Sequence, residues 1–305
     1  GVFEGEIVWL SDSRTLLVSL IPGRRTAPPQ PPLAPSGPNV QENLGGKTPA
    51  PTYQDLLQNP YDEQLFEHYA TTQLAVVTVD GQVTPLGVPG IITAATPSPD
   101  GRFILVEALH RPFSYTVPAE SFPRTIDVWD RSGEPVYRVA DLPLADKVPI
   151  TFGSVPTGPR SVSWRADADA TLYWAEALDG GDAGVQTDER DRLYMLPPPF
   201  DGPPISLLTL NLRFGGVQWS SDELALVSGW WWKTRNIRVW RIYPGAPHTP
   251  PVLLQDRSYE DRYNDPGDPL MRLTDRGTSV LMTQGDSVLY LIGTGASPEG
   301  NRPFL

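Results

Sequence analysis

Cysteine is absent from all 305 residues, which excludes disulfides, thiolate metal sites and cysteine nucleophiles together. That absence leaves the compartment open, because thiol-free chains occur in reducing and oxidising surroundings alike. Long hydrophobic runs are missing too. The longest, such as Leu224–Val227 and Val288–Ile292, are strand-sized and far short of the roughly 20 residues a membrane-spanning helix requires. A soluble chain is expected. Gly1–Leu10 has neither a basic start nor an apolar signal core, so a processed or cut N-terminus is expected. Positive charge is scarce, with 24 Lys and Arg against 36 Asp and Glu and a net charge of −12. Nucleic acid and anionic membrane surfaces, which are bound through cations that neutralise phosphate, are therefore not expected partners.

What is abundant is proline (35), glycine (27) and tryptophan (9), a composition of short strands and tight turns. The chain is long enough to bury a core without metals or disulfides. One loose unit recurs five times: a short strand, an Asp-containing turn, then a dense apolar strand. The copies are Ile7–Val18, Ala95–Val106, Val162–Trp174, Val217–Val227 and Met271–Met282. From Asp12 to Asp100, Asp167, Asp222 and Asp275 the steps are 88, 67, 55 and 53 residues, approaching the length of a propeller blade. A second hairpin follows each of the first four copies, at Leu74–Leu86, Ile126–Val139, Asp191–Leu208 and Ile237–Leu254. Asp80-Gly81 and Ser132-Gly133 mark two of these turns, and the Asp-Gly pair predicts positive φ at both central positions. The fold class is thus all-β, a β-propeller segment of about five four-stranded blades spanning 1–305, with a β-sandwich as the alternative.

The first repeat carries an insertion, 22–70. Six of the twelve residues from Ala27 to Pro38 are proline, which predicts an extended polyproline-type or mobile loop. Thr52 with Asp55 resembles a capping box, and Asn59-Pro60 followed by Asp62 and Glu63 a second helix start. Two short helices are expected, with Leu56, Leu57, Leu65, Phe66 and Tyr69 as their apolar face covering the blades.

Catalytic patterns are sparse. No Gly-x-Ser-x-Gly elbow occurs, and the nearest approach, Gly295-Ala296-Ser297-Pro298-Glu299, puts a proline without an N–H where an oxyanion donor belongs. Ser297 reads as a turn residue. Of the three histidines, His68 falls in a predicted helix and His248 in a Pro-rich loop. His110 with Ser114 and Asp127 could be drawn as a triad, yet loop and strand polar groups fit them equally well. Glu107, Glu176, Asp179 and Asp182 are candidate paired acids for a five-bladed glycosidase. Asp179-Gly180-Gly181-Asp182 reads more simply as a solvated turn, and its spacing does not match a calcium loop. No catalytic residue, metal or cofactor is assigned.

The string Trp230-Trp231-Trp232-Lys233-Thr234-Arg235 is the most unusual local feature. As a strand it would send Trp230 and Trp232 one way and Trp231 and Lys233 the other. The tryptophans could pack between blades with the cations capping the edge, or Lys233 and Arg235 could project into a central channel. Arg257-Ser258-Tyr259-Glu260-Asp261-Arg262-Tyr263 mixes both charge signs and reads as an internally paired loop that could leave Arg257 or Arg262 free for an anion.

Five strings, Gln41–Lys47 (QENLGGK), Tyr53–Leu57 (YQDLL), His110–Tyr115 (HRPFSY), Trp231–Arg235 (WWKTR) and Arg257–Tyr263 (RSYEDRY), resemble segments of the glutamyl endopeptidase branch of the prolyl oligopeptidase family of serine peptidases. The resemblance spans nearly the whole chain. It implies an N-terminal propeller covering a C-terminal α/β-hydrolase domain, in a branch named for cleaving after glutamate. Since the chain stops at Leu305, the catalytic domain is expected to be missing and the chain to be a noncatalytic propeller fragment that gates peptide substrates. The implied partners are that hydrolase domain and a peptide. A substrate glutamate needs a nearby cation, for which Lys233, Arg235, Arg257 and Arg262 are the candidate substrate-binding residues. A freestanding propeller that binds a peptide or protein is the alternative function, and a five-bladed glycosidase the second.

Overall fold

The computed structural model describes residues 7–33, 53–285 and 288–305, and it divides into two compact units, Gly1–Ile150 and Thr151–Leu305. Each of the first four repeats becomes a four-stranded antiparallel meander. In the first unit these are β1 (Val8–Trp9), β2 (Thr15–Leu20), β3 (Gln73–Thr78) and β4 (Val83–Pro85), then β5 (Ile91–Pro97), β6 (Phe103–Leu109), β7 (Arg124–Asp130) and β8 (Pro135–Leu142). In the second they are β9 (Arg160–Trp164), β10 (Leu172–Ala177), β11 (Asp191–Leu196) and β12 (Ile205–Leu210), then β13 (Arg213–Ser221), β14 (Leu224–Trp231), β15 (Asn236–Ile242) and β16 (Val252–Ser258). These are the blade units that the repeat predicts.

The fifth copy is less regular than expected. Its residues form three two-stranded pieces: β17 (Asp268–Pro269) pairs with β22 (Leu291–Ile292), β18 (Met271–Leu273) with β19 (Ser279–Leu281), and β20 (Thr283–Gln284) with β21 (Val288–Leu289). Leu281 is nevertheless fully buried against Leu224 and Leu226 of the fourth sheet.

The turns differ from expectation in one respect. At Asp80-Gly81 and Ser132-Gly133 the glycines lie at φ +86° and +88°, while Asp80 and Ser132 keep negative φ. The bonds Gly81 N to Thr78 O (2.8 Å) and Thr78 N to Gln82 O (3.0 Å) define a three-residue loop with one left-handed position. The recurring aspartates serve such turns. Asp12 accepts from the N–H groups of Arg14 and Thr15, both at 2.9 Å, and Asp100 accepts from Arg102 N at 3.0 Å.

Apolar strand faces pack sheet against sheet. In the first unit Leu10, Leu17, Leu74 and Leu86 meet Ile92, Ile104 and Val106. In the second, Leu193, Met195, Leu208 and Leu210 meet Trp219, Ala225, Val227 and Ile242. Each fully buried aliphatic side chain contributes about 1.5–3 kcal/mol relative to exposure.

Only one of the two expected helices forms among the described residues, α1 (Pro60–Ala70). Asn59 caps it, its Oδ1 accepting from Tyr61 N (2.9 Å) and Asp62 N (3.0 Å), with Pro60 in the first turn. Thr52 lies outside the described residues, and Tyr53–Gln58 is irregular, with Asp55 at φ +58°, a conformation no right-handed helix admits. Of the expected apolar face, Leu57 and Phe66 pack into a cluster with Ile91, Leu109, Phe113 and Phe122, whereas Tyr69 is exposed. The connection between β6 and β7 clamps α1. Arg111 engages Glu67 at 2.8 and 2.9 Å and also Glu63, and Tyr115 Oη donates to Glu63 at 2.7 Å. The string His110–Tyr115 is thus the helix's seat.

Candidate functional site

The chemical constellations drawn from sequence come apart in the structure. His110 Nε2 meets Asp141 Oδ1 at 2.9 Å and its Nδ1 meets Arg111 O at 2.7 Å. Ser114 Oγ bonds within its own loop to Thr116, and Asp127 holds Arg138 at 2.8 and 3.1 Å. No triad assembles from these three. Ser297 is a turn residue, its Oγ donating to Gly300 O at 2.7 Å. Among the acids, Glu107 is neutralised by Arg124 and Glu176 accepts the Trp174 indole N–H at 2.7 Å. Among the described residues no group of three or more His, Asp and Glu could hold a metal. A cleft of about 630 Å³ between β12 and the Pro247–Pro251 loop carries His248 but no carboxylate or cation.

The four cations gather instead at one end of the fourth sheet. β14 stops at Trp231, and Trp232–Arg235 form the turn into β15, with Arg235 at φ +57°. The predicted strand alternation therefore ends before Lys233, which sits exposed on the hairpin tip. β16 leaves the sheet beside this tip, since Asn236 pairs with Ser258 and Tyr259 N donates to Arg235 O at 2.8 Å. Arg235 and Arg257 are committed elsewhere: Arg235 pairs with Glu260 at 3.1 Å and Arg257 with Asp265 at 2.8 Å. Lys233 and Arg262 are exposed and have no acidic partner among the described residues. Phe152, 80% exposed, lies 6.3 Å from the Trp232 ring, while Tyr259 and Tyr263 add exposed aromatic surface. Exposed cations and exposed rings thus occur together on the hairpin tip and in the segment that follows β16.

Beneath this edge lies a buried ionic network that overturns the solvated-turn reading of Asp179. Its side chain is fully buried, accepting from Arg190 Nη1 at 2.9 Å, Arg213 Nη2 at 2.8 Å and Gly181 N at 3.0 Å. Arg213, 1% exposed, also reaches Asp191 at 2.9 Å and Gly153 O at 2.6 Å. Arg160 completes the pairing of Asp191. Arg190 stacks 3.7 Å from the Trp231 ring centroid. Gly153, at φ +83°, lies so close that a Cβ there would stand 3.0 Å from both Trp231 and Trp232. The network thus fixes Gly153 and Trp231, and through them the hairpin bearing Lys233. Asp182 instead caps Gly184 N at 2.7 Å. A sequence signal was Arg213 between Leu212 and Phe214, a cation flanked by two large apolar residues.

No protein-family model matches the chain. It is 45% identical over 312 residues to the probable chloroplastic glutamyl endopeptidase of Oryza sativa subsp. japonica, and 46% identical over 313 residues to that of Arabidopsis thaliana. These alignments take in 100% of this chain and 33% and 32% of the two relatives, so the chain spans about a third of their length. Among solved structures, the acylaminoacyl peptidase of Pyrococcus horikoshii superposes with a TM-score of 0.37 at 16% identity, over 66% of this chain and 30% of that one. Along its whole length, then, the chain is similar to about a third of two probable glutamyl endopeptidases.

Proposed function

We propose that this chain is the noncatalytic blade portion of a prolyl-oligopeptidase-type serine peptidase, in which it limits substrate size and orients peptides toward a separate α/β-hydrolase domain. The observation that carries this reading is the 45% identity of the entire chain to about a third of a probable glutamyl endopeptidase. The separate pairings of His110, Ser114 and Asp127 are consistent with catalysis housed elsewhere. Within this reading, Lys233 and Arg262 meet an acidic substrate side chain, because Arg235 and Arg257 already answer Glu260 and Asp265.

The test is charge reversal in the complete peptidase. Lys233→Glu and Arg262→Glu are expected to lower kcat/KM for peptides with glutamate before the scissile bond by about tenfold or more each, as loss of a charge-assisted contact does. Arg235→Glu should change it far less. Unchanged preference in the first two variants would remove the assignment, and a complete protein without peptidase activity would remove the proposal.

A further inference from the structure

Between β2 and α1 the chain runs through Ala27-Pro28-Pro29-Gln30-Pro31-Pro32-Leu33. Each of the four prolines has φ locked near −65°. Ala27, Pro28, Gln30 and Pro31 each precede a proline, which disfavours the α region and favours extended or polyproline II backbone. From Ala27 to Pro32 every residue therefore has φ, ψ or both set for polyproline II. The structure places no helix or strand here, and every residue from Ala27 to Leu33 except the half-buried Pro29 is exposed.

Two tethers hold the segment to the fold. The Arg25 guanidinium donates to Thr71 O, and Tyr61 Oη donates to Pro29 O at 3.3 Å. With three residues per turn, Pro29 and Pro32 share the tethered ridge. Pro28 and Pro31 form a second ridge and Ala27, Gln30 and Leu33 a third, both open to solvent. Four of the seven residues have no N–H, and no donor among the described residues reaches the carbonyls of Ala27, Gln30, Pro31 or Pro32. The result is a pre-shaped rod with apolar ridges and free acceptors.

We propose that Ala27–Leu33 is a docking rod for a protein partner carrying a polyproline-reading groove. The chemistry defines the partner. Pyrrolidine rings pack on aromatic side chains, free carbonyls call for Trp or Tyr donors, and exposed Arg24 just upstream fits an acidic groove rim. A rod already held in the bound conformation costs little ordering entropy on binding. This proposal is independent of the peptidase reading.

The test titrates the intact chain against three purified polyproline-reading probes, an SH3 domain, a WW domain and profilin, by calorimetry. Micromolar binding to at least one is expected, weakened about tenfold (~1.4 kcal/mol) in the double variant Pro28→Ala/Pro31→Ala with an unchanged melting curve. Weakening by Arg24→Glu is expected as well. Binding to none of the three, or equal binding by the double variant, would overturn the proposal. So would binding of a synthetic 24–33 peptide to a probe that the intact chain does not bind, because the rod would then be occluded in the fold.

Discussion

Arg213 and Arg165 do at the residue scale what the blades' apolar faces cannot do at their ends. Arg213 joins Asp179 and Asp191 beneath one end of the third and fourth sheets. Arg165, 4% exposed, joins Asp167 and Asp222 at the other end, where the β9–β10 and β13–β14 turns lie, and stacks 4.9 Å from the Trp219 ring. Removing one member of a buried pair leaves its partner charged and desolvated, at a cost of about 3–5 kcal/mol. Arg213→Met and Asp179→Asn are therefore expected to lower the urea unfolding midpoint of the second unit sharply. Arg213→Lys should rescue little, because an ammonium cannot serve two carboxylates and a carbonyl with a planar fork. Gly153→Ala should shift the tryptophan emission, since a Cβ would press on Trp231 and Trp232; an unchanged spectrum would count against the proposed support of the hairpin. Asp12 and Asp100, whose caps are local, were legible as turn residues. Asp179 was not, because its partners come from residues 190 and 213.

At the scale of elements, α1 shows how a helix legible from its Asn59-Pro60 start acquires its position from distant residues. Burial alone would raise the Glu63 pKa, but hydrogen bonds from Tyr115 and Arg111, with the Arg111 charge, outweigh it and hold Glu63 below its ordinary 4.5. Its contribution to stability is fully present above that value and is lost as pH falls through the folded value. Tyr115 moves the other way, pushed up to about 12 chiefly by its bond to Glu63. Its contribution is fully present below the ordinary 10.0 and is lost as pH rises through about 12. The thermal midpoint should therefore lose this clamp's contribution at both extremes of pH and keep it between them. Tyr115→Phe should abolish the alkaline limb attributable to this hydroxyl, keep the acid one and cost about 1 kcal/mol or less, because solvent screens the pair, as read from thermal unfolding.

At the scale of the whole molecule, two units of meander sheets offer many serines but no assembled charge relay among the described residues. Incubation of the intact chain with a fluorophosphonate probe is expected to label no serine, as judged by intact mass; stoichiometric labelling at one defined serine would show a nucleophile within these blades. The first four strand repeats, the positions of their hairpin turns, the capped helix α1 and the resemblance to glutamyl endopeptidases were legible in the sequence alone. Their causes are local: side-chain alternation, turn stereochemistry and strings long enough to be recognised. Tertiary structure decided which cations stay unpaired, which aspartates are buried, and where Lys233 leaves the strand. Those outcomes depend on charges brought together from positions such as 179 and 213 or 235 and 260, and no pattern within a single strand or turn encodes such a meeting.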